Sequence, residues 1–149
     1  MNHHIKYKKY HHYKYLSYFF ALSLLVSFDA LSADWTSIKK TKEYELLVDM
    51  DSYNESNGLP FITTKAIFNK QKGYAFNGKN LLYIEELSTS QFDCKLHTYK
   101  TLTTIFYQQQ NKLAGSKKAM MTFESLEKGS DNASIASLVC QVHQMVGGQ

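Results

Sequence analysis

Arginine is absent from the 149-residue sequence, and proline, tryptophan and cysteine are scarce, with one, one and two copies. Because bidentate arginine contacts to phosphates are prominent in nucleic-acid binding, a chain without arginine is a poor candidate for that function. The formal net charge of +4 does not argue otherwise. Residues 1–33 carry +3 of it, and residues 34–149 hold 13 Lys against 12 acidic residues. The sequence therefore predicts no nucleic-acid partner.

Several chemical motifs are also missing. The sequence contains no glycine-rich phosphate loop, no nucleophile elbow and no ligand spacing typical of a metal site. We therefore predict no catalytic residues, no cofactor and no metal. Hydrophobic residues (44%) and charged residues (20%) are present in the proportions of a globular protein, and the length suits one domain.

The N-terminal 33 residues have the order of a secretory signal peptide. A basic segment precedes 13 uncharged residues, Leu16–Phe28, and small residues follow up to Ala33. As a helix the apolar segment would be about 20 Å long, too short for a hydrocarbon core of about 30 Å. We predict a signal peptide at residues 1–33 and a mature domain at residues 34–149, with an uncleaved anchor as the alternative. The histidine pairs of the leader would be discarded with it.

The predicted cleavage site has no neighbouring cysteine that could carry a bacterial lipid anchor. We therefore expect that the protein is not a lipoprotein and that it contacts the membrane only through its signal peptide. The expected location is periplasmic, secreted or at the cell surface.

Alternating hydrophobicity predicts strands in the mature chain. Tyr44, Leu46, Val48 and Met50 share one face of an extended segment, as in a half-buried strand. Further strands are predicted at residues 61–68, 81–92, 96–108 and 119–126, which are rich in β-branched and aromatic residues. The intervening segments predict a turn at 51–58, a loop at 69–80 that contains the hairpin pair Asn77-Gly78, and a polar loop at 111–118.

The C-terminal segment predicts an amphipathic helix. Ser130 is a good N-cap, and Ile135, Leu138, Val139 and Val142 follow at helical spacing. We expect this apolar face to pack on the sheet, and Gly147-Gly148-Gln149 to end the helix.

Cys94 and Cys140 are expected to form one disulfide. An exported domain folds in an oxidising compartment, where a paired bridge persists. Such a bridge would stabilise the domain by about 4 kcal/mol through loop closure. The alternative, a catalytic thiol, would need a base, and His97 and His143 each lie three residues from one cysteine, but no third orienting group is evident.

Two charged groups invite functional interpretations. Asp49 and Asp51 could be paired carboxylates for acid–base chemistry, but local capping of a turn is the expected role. Lys112, Lys117 and Lys118 form a small basic segment that could contact an acidic partner, although a solvated loop is the simpler interpretation.

Together these features resemble the surface-adhesin protein E-like family. The resemblance extends from about Asp34 to Cys140 and is carried by five pieces of sequence: Trp35, Leu47-Val48-Asp49-Met50-Asp51-Ser52, Phe92-Asp93-Cys94, Phe123-Glu124-Ser125-Leu126 with Gly129-Ser130, and Leu138-Val139-Cys140. It implies an α+β fold in which an antiparallel β-sheet packs with a C-terminal α-helix and one disulfide ties the two. Members are small bacterial envelope proteins, and the name-giving member is an adhesin that binds host extracellular-matrix proteins.

The resemblance implies an exported, non-enzymatic and adhesin-like binding module of the bacterial cell envelope. Its partner would be a protein, either a host extracellular-matrix protein or an envelope component. One alternative is a soluble periplasmic structural or accessory protein without a host ligand. Another is an enzyme, which would need a pocket that joins His97 or His143 to a carboxylate. The sequence identifies no ligand-binding residue.

Overall fold

The computed structural model describes residues 33–76 and 78–147. The predicted signal peptide therefore lies outside the described residues, apart from Ala33, and it stays a prediction. Asn77 of the predicted hairpin pair and the last two residues of the chain also lie outside them. Among the described residues, no helix combines the length and apolar character that a membrane span requires.

The described ranges contain seven strands in one antiparallel sheet. Their bounds are β1 Trp35–Lys40, β2 Tyr44–Ser56, β3 Leu59–Phe76, β4 Lys79–Asp93, β5 Thr98–Tyr107, β6 Leu113–Lys117 and β7 Glu124–Ser125. β1 to β6 pair in chain order as a meander. The last two strands both pair with β5. β6 pairs with Thr104–Tyr107, and β7 pairs with Thr98 and Tyr99.

The first long hairpin is tighter than the sequence predicts. Asn57 and Gly58 have φ values of +54° and +72° and form the two-residue turn between Ser56 and its partner Leu59. Positive φ at both positions suits the type I′ turn that joins twisted strands. The predicted turn at residues 51–58 is therefore wrong for most of its length, because these backbone groups pair with β3 after a register shift that follows Asp49.

The second long hairpin corrects the loop predicted at residues 69–80. β3 continues to Phe76, which pairs with Lys79 at the start of β4, and Gly78 has a φ of +73°. A register shift between Ile67 and Lys72 absorbs the irregular pattern of this segment. The hairpin prediction is correct, but the polar residues before it extend the strand because their backbone groups find partners in β4.

Two further predictions fail towards the end of the sheet. The polar loop predicted at residues 111–118 contains β6, and a short 3₁₀ turn at Gln109–Asn111 precedes it. Of the strand predicted at residues 119–126, only β7 is extended in the sheet. The polar residues of β6 can form a strand because an edge strand needs backbone pairing on one side only.

The C-terminal α-helix, α1 at Asp131–Met145, packs on a single face of the sheet. The Ser130 hydroxyl accepts a hydrogen bond from the Ala133 amide at 3.1 Å, which confirms the predicted N-cap. Gly147 follows the helix with a φ of +90°, and its amide donates to the Gln144 carbonyl. The buried core joins strand residues to the helix: Leu46, Val48, Ile62, Phe92, Ile135, Ala136 and Val139.

The Cys94–Cys140 disulfide connects α1 to the turn between β4 and β5. The Asp93 carboxylate shapes that turn by accepting hydrogen bonds from the amides of Lys95 (3.0 Å) and Leu96 (2.9 Å). The two Cα atoms lie 5.7 Å apart, within normal bridging range. The structure thus confirms the predicted α+β fold of an antiparallel sheet, a C-terminal helix and one disulfide.

Replacing Ser130 by Ala should lower the free energy of unfolding by about 1 kcal/mol, because the Ala133 amide loses its capping acceptor. Urea denaturation measures the change. Ser137→Ala, at an exposed site in the middle of the same helix, is the matched control and should leave stability unchanged or slightly raised. Equal effects of the two variants would contradict the capping role.

Replacing both Cys94 and Cys140 by Ser should lower the free energy of unfolding by about 4 kcal/mol, because the unfolded chain regains the entropy of a loop spanning 46 positions. Urea midpoints measure the loss. Wild-type protein treated with a reductant should unfold at the same midpoint as the double variant. Unchanged stability on reduction would show that the link is not a structural constraint.

Candidate functional site

The face of the sheet that carries α1 also holds a cleft of about 560 Å³, a volume in the usual range for a small-molecule site. Its floor is formed by β3, β4 and β5, with Tyr44 and Leu46 of β2 at one side. One wall is the N-terminal turn of the helix at Asp131, Asn132 and Ile135. Lys117, Lys118, Met120 and Glu124, from β6 to β7, line it as well. The cleft exists because the helix covers only part of this face.

Short hydroxyl side chains cover the middle of the cleft. This hydroxyl floor consists of Thr64, Ser88, Ser90, Thr101 and Thr104. Ser88 Oγ donates to Thr104 Oγ1 at 3.2 Å, and Ser90 Oγ donates to Thr101 Oγ1 at 3.3 Å. Alternation along β4 places Ser88 and Ser90 on one face, and the register pairs Ser88 with Thr64 and Thr104. A register shift in β5 between Thr101 and Thr103 brings Thr101 to the same face, opposite Ser90.

Five aromatic rings line one part of the cleft in a continuous series, the aromatic row. Neighbouring ring centroids are 5.8 Å apart for Tyr44–Phe68, 5.7 Å for Phe68–Tyr83, 4.6 Å for Tyr83–Phe106 and 4.9 Å for Phe106–Tyr74. These separations are typical of packed aromatic pairs, so the rings hold one another in place. The row gives the cleft a rigid apolar surface beside its polar floor.

Glu86 lies between the aromatic row and the hydroxyl floor, paired across the sheet with Ala66 and Phe106. Burial raises the pKa of this carboxyl, while hydrogen bonding from Ser88, the charge of Lys117 and hydrogen bonding from Tyr83 act in the opposite direction. Burial and the nearby Glu86 also raise the pKa of Tyr83. The carboxyl group can therefore accept or share a hydrogen bond inside the cleft.

Asp131 connects the helix wall to the sheet. Its carboxylate accepts a hydrogen bond from Lys39 Nζ at 2.7 Å and from the Tyr44 hydroxyl at 2.8 and 2.7 Å. Burial, and then the Asp131 carboxylate, raise the pKa of Tyr44. The negative charge also lies in the first turn of the helix, where the helix dipole favours it. These contacts fix the N-terminal end of α1 beside the cleft.

Most of the residues that the sequence suggested as functional candidates lie outside the cleft. Cys94 and Cys140 form the disulfide and do not line it. Asp49 Oδ1 accepts a hydrogen bond from the Asp51 amide at 3.1 Å, so local capping describes this pair and joint acid–base chemistry does not. In the basic segment, Lys112, Lys117 and Lys118 are all exposed, as the interpretation of a solvated segment requires, but Lys117 ends β6 instead of lying in a loop, and it lines the cleft with Lys118.

His97 and His143, the two histidines among the described residues, differ in environment. His97 is exposed in the turn after Cys94 and has a φ of +54°. His143 is buried, and its Nδ1 lies 2.9 Å from Glu55 Oε1 and 3.3 Å from the Tyr53 hydroxyl. Neither histidine lines the cleft. The contact of His143 with a carboxylate joins the end of α1 to β2, far along the strand from the cleft.

The opposite face of the sheet carries a smaller depression of about 300 Å³ around Trp35, Lys65 and Glu85. Lys65 Nζ lies 4.3 Å from the centroid of the Trp35 ring and 3.6 Å from Glu85 Oε1. Because its polar groups already pair with one another, this face is a weaker candidate site. No group of three or more potential metal ligands occurs within residues 33–76 and 78–147.

The family model described as surface-adhesin protein E matches residues 35–141, which include every strand and most of α1. A comparison with curated proteins finds no match.

The contact between Glu55 and its neighbours predicts a pH-dependent contribution to stability. Hydrogen bonds from Tyr53 and then His143 lower the pKa of Glu55 below 4.5. A carboxyl group whose pKa is lower in the folded state than in the unfolded state stabilises the protein at pH values above its unfolded-state pKa. This contribution is lost as the pH falls through the folded-state pKa. Burial also raises the pKa of Tyr53 to about 12, so its hydroxyl stays a donor throughout this range.

Replacing Glu55 by Gln should therefore lower the melting temperature at pH 7, and the difference from wild type should shrink as the pH falls below 4.5. Thermal unfolding from pH 7 to pH 2.5 measures both. Glu127→Gln, at an exposed position before α1, should show no comparable difference at pH 7. A constant difference across the whole range would mean that the charge of Glu55 is not what stabilises the contact.

Proposed function

The chain belongs to the surface-adhesin protein E family, and from this membership we propose that it is an exported, non-enzymatic binding module of the bacterial cell envelope. Its partner is a protein at the cell surface, and a host extracellular-matrix protein is the foremost candidate. The observation that carries the proposal is the family match over residues 35–141, because it includes the cleft as well as the core.

The side chains of the cleft support a binding role. Hydroxyl groups, aromatic rings and a few charged groups line it, which is the mixture found in sites that hold a ligand by shape and hydrogen bonds. The cysteines, which could have supplied a nucleophile, are consumed in the disulfide.

The disulfide and the leader together support export. A structural disulfide persists in the periplasm or outside the cell and is rare in the cytosol. The leader has the three parts of a secretory signal in the required order. We propose that residues 1–33 are removed during export and that residues 34–149 form the mature domain, without a lipid anchor.

Export predicts a defined product. Cells that express the full chain should contain the protein in the periplasm, on the surface or in the medium, with a mass that corresponds to a start at Asp34. The mass should also be lowered by two hydrogens for the disulfide and should include no lipid. Cell fractionation, surface protease treatment and intact-mass measurement test this. An uncleaved cytosolic protein with two free thiols would contradict it.

Binding is tested with the exported protein, purified from the compartment where it accumulates. We expect saturable association with immobilised extracellular-matrix proteins, and no association with a surface coated with albumin. If the protein instead stays inside the outer membrane and its deletion weakens the envelope, the alternative of a periplasmic accessory protein replaces the proposal.

A further inference from the structure

Acidic and basic side chains are nearly balanced in the cleft. Asp131 is paired with Lys39 at 2.7 Å, and Glu124 accepts a hydrogen bond from the Tyr99 hydroxyl at 3.4 Å. Glu86 experiences the positive charge of Lys117. The lining holds three carboxylates and two lysines, and Lys39, outside the lining, pairs with Asp131, so the positive and negative charges balance and the site does not select a strongly charged ligand of either sign.

The hydroxyl floor favours a ligand that can both donate and accept hydrogen bonds. A hydroxyl group does both and rotates to suit its partner. The hydrogen bonds within the floor are long, at 3.2 Å for Ser88–Thr104 and 3.3 Å for Ser90–Thr101, so they can be exchanged for bonds to a ligand. A purely apolar ligand would instead remove water from Ser88 and Thr101, the partly exposed members of the floor, without replacing its hydrogen bonds, which is costly.

The backbone of the floor argues against a peptide. A bound extended peptide gains much of its affinity from main-chain hydrogen bonds to a free sheet edge. The cleft lies on the face of β3, β4 and β5. β3 and β4 have neighbouring strands on both sides, and β5 pairs with β4 on one side and with β6 and β7 at the two ends of the other, where the Met120 amide donates to the Thr101 carbonyl between them. A peptide there would meet side chains only, and its own amides and carbonyls would lose water without regular partners.

We propose that the cleft binds a neutral oligosaccharide, with sugar hydroxyls on the hydroxyl floor and Glu86, and the apolar face of a sugar ring against the aromatic row. A pyranose ring has hydroxyls around its edge and C–H groups on its faces, and the cleft offers both kinds of surface side by side. This inference rests on the proposed binding function, because it names the chemistry that the module recognises on its partner.

The primary test is binding of the exported full-chain product to an array of neutral, sialylated and sulfated glycans, followed by calorimetric titration with the best neutral oligosaccharide. Thr104→Val should weaken that binding about fivefold, because it removes a hydroxyl at constant shape. Thr103 is the preceding residue of β5; it is exposed and lies outside the cleft. The same substitution there, Thr103→Val, should change the affinity less than twofold.

A second matched pair tests the carboxyl group. Glu86→Gln should weaken binding about tenfold, because a hydrogen bond to a charged acceptor is stronger than one to an amide. Glu85→Gln, on the opposite face beside Lys65, should leave affinity within twofold of wild type. Circular dichroism and urea midpoints confirm that all four variants are folded.

The outcomes separate this inference from the proposed function. Binding to a neutral glycan that depends on Thr104 and Glu86, but not on Thr103 and Glu85, supports it. Binding to matrix proteins that survives enzymatic deglycosylation and the cleft variants would overturn the inference and leave the adhesin-like function standing. Binding only to sulfated glycans, lost on replacing Lys117 and Lys118 by Ala, would overturn it as well. Binding to free glycans without any binding to matrix proteins would uphold it and overturn the proposed host-protein partner.

Discussion

The attachment of one helix to one part of the sheet determines the rest of this structure. Val139 and Ile135 pack against Phe92 and Ile62 in the buried core, which supplies the main apolar stabilisation of the contact. Polar and covalent links then fix the helix along its length, with Asp131 bound to β1 and β2, the disulfide near its middle, and His143 bound to Glu55 near its end. The helix cannot slide to cover the remaining face, so a cleft is left beside it.

The chemistry of the strands changes where the helix cover ends. On β3, Ile62 is fully buried in the core, and Thr64, two residues further along the same face, belongs to the hydroxyl floor. On β4, the step from Phe92 to Ser90 and Ser88 makes the same change. Small hydroxyl residues keep the strands compatible with a sheet, satisfy one another by hydrogen bonds and leave room above them. The described residues include no buried side-chain nitrogen or oxygen without a partner, which fits this arrangement.

The two faces of the sheet consequently differ in how much open volume they leave for a ligand. On the face opposite α1, Lys65 extends between Trp35 and Glu85 and fills the space above the strands with a long side chain. On the helix face, the residues paired at the same level are short, and the aromatic row and Glu86 project beside them. The difference is one of side-chain length at alternating positions of the same strands, and it concentrates the available volume on one face.

The sequence by itself determined the elements whose signals are local. Three of these signals act between near neighbours in the chain: the hydrophobic alternation from Tyr44 to Met50, the cap at Ser130 and the helical spacing from Ile135 to Val139. The disulfide was also determined, because two cysteines allow one pairing. Only the tertiary structure decided that polar segments such as residues 113–117 are strands, because backbone pairing across the sheet outweighs their composition. It also decided the cleft: Glu86, Ser88 and Thr104 are ordinary surface-strand residues in the sequence, and they become a site only because the register aligns them and the helix ends beside them.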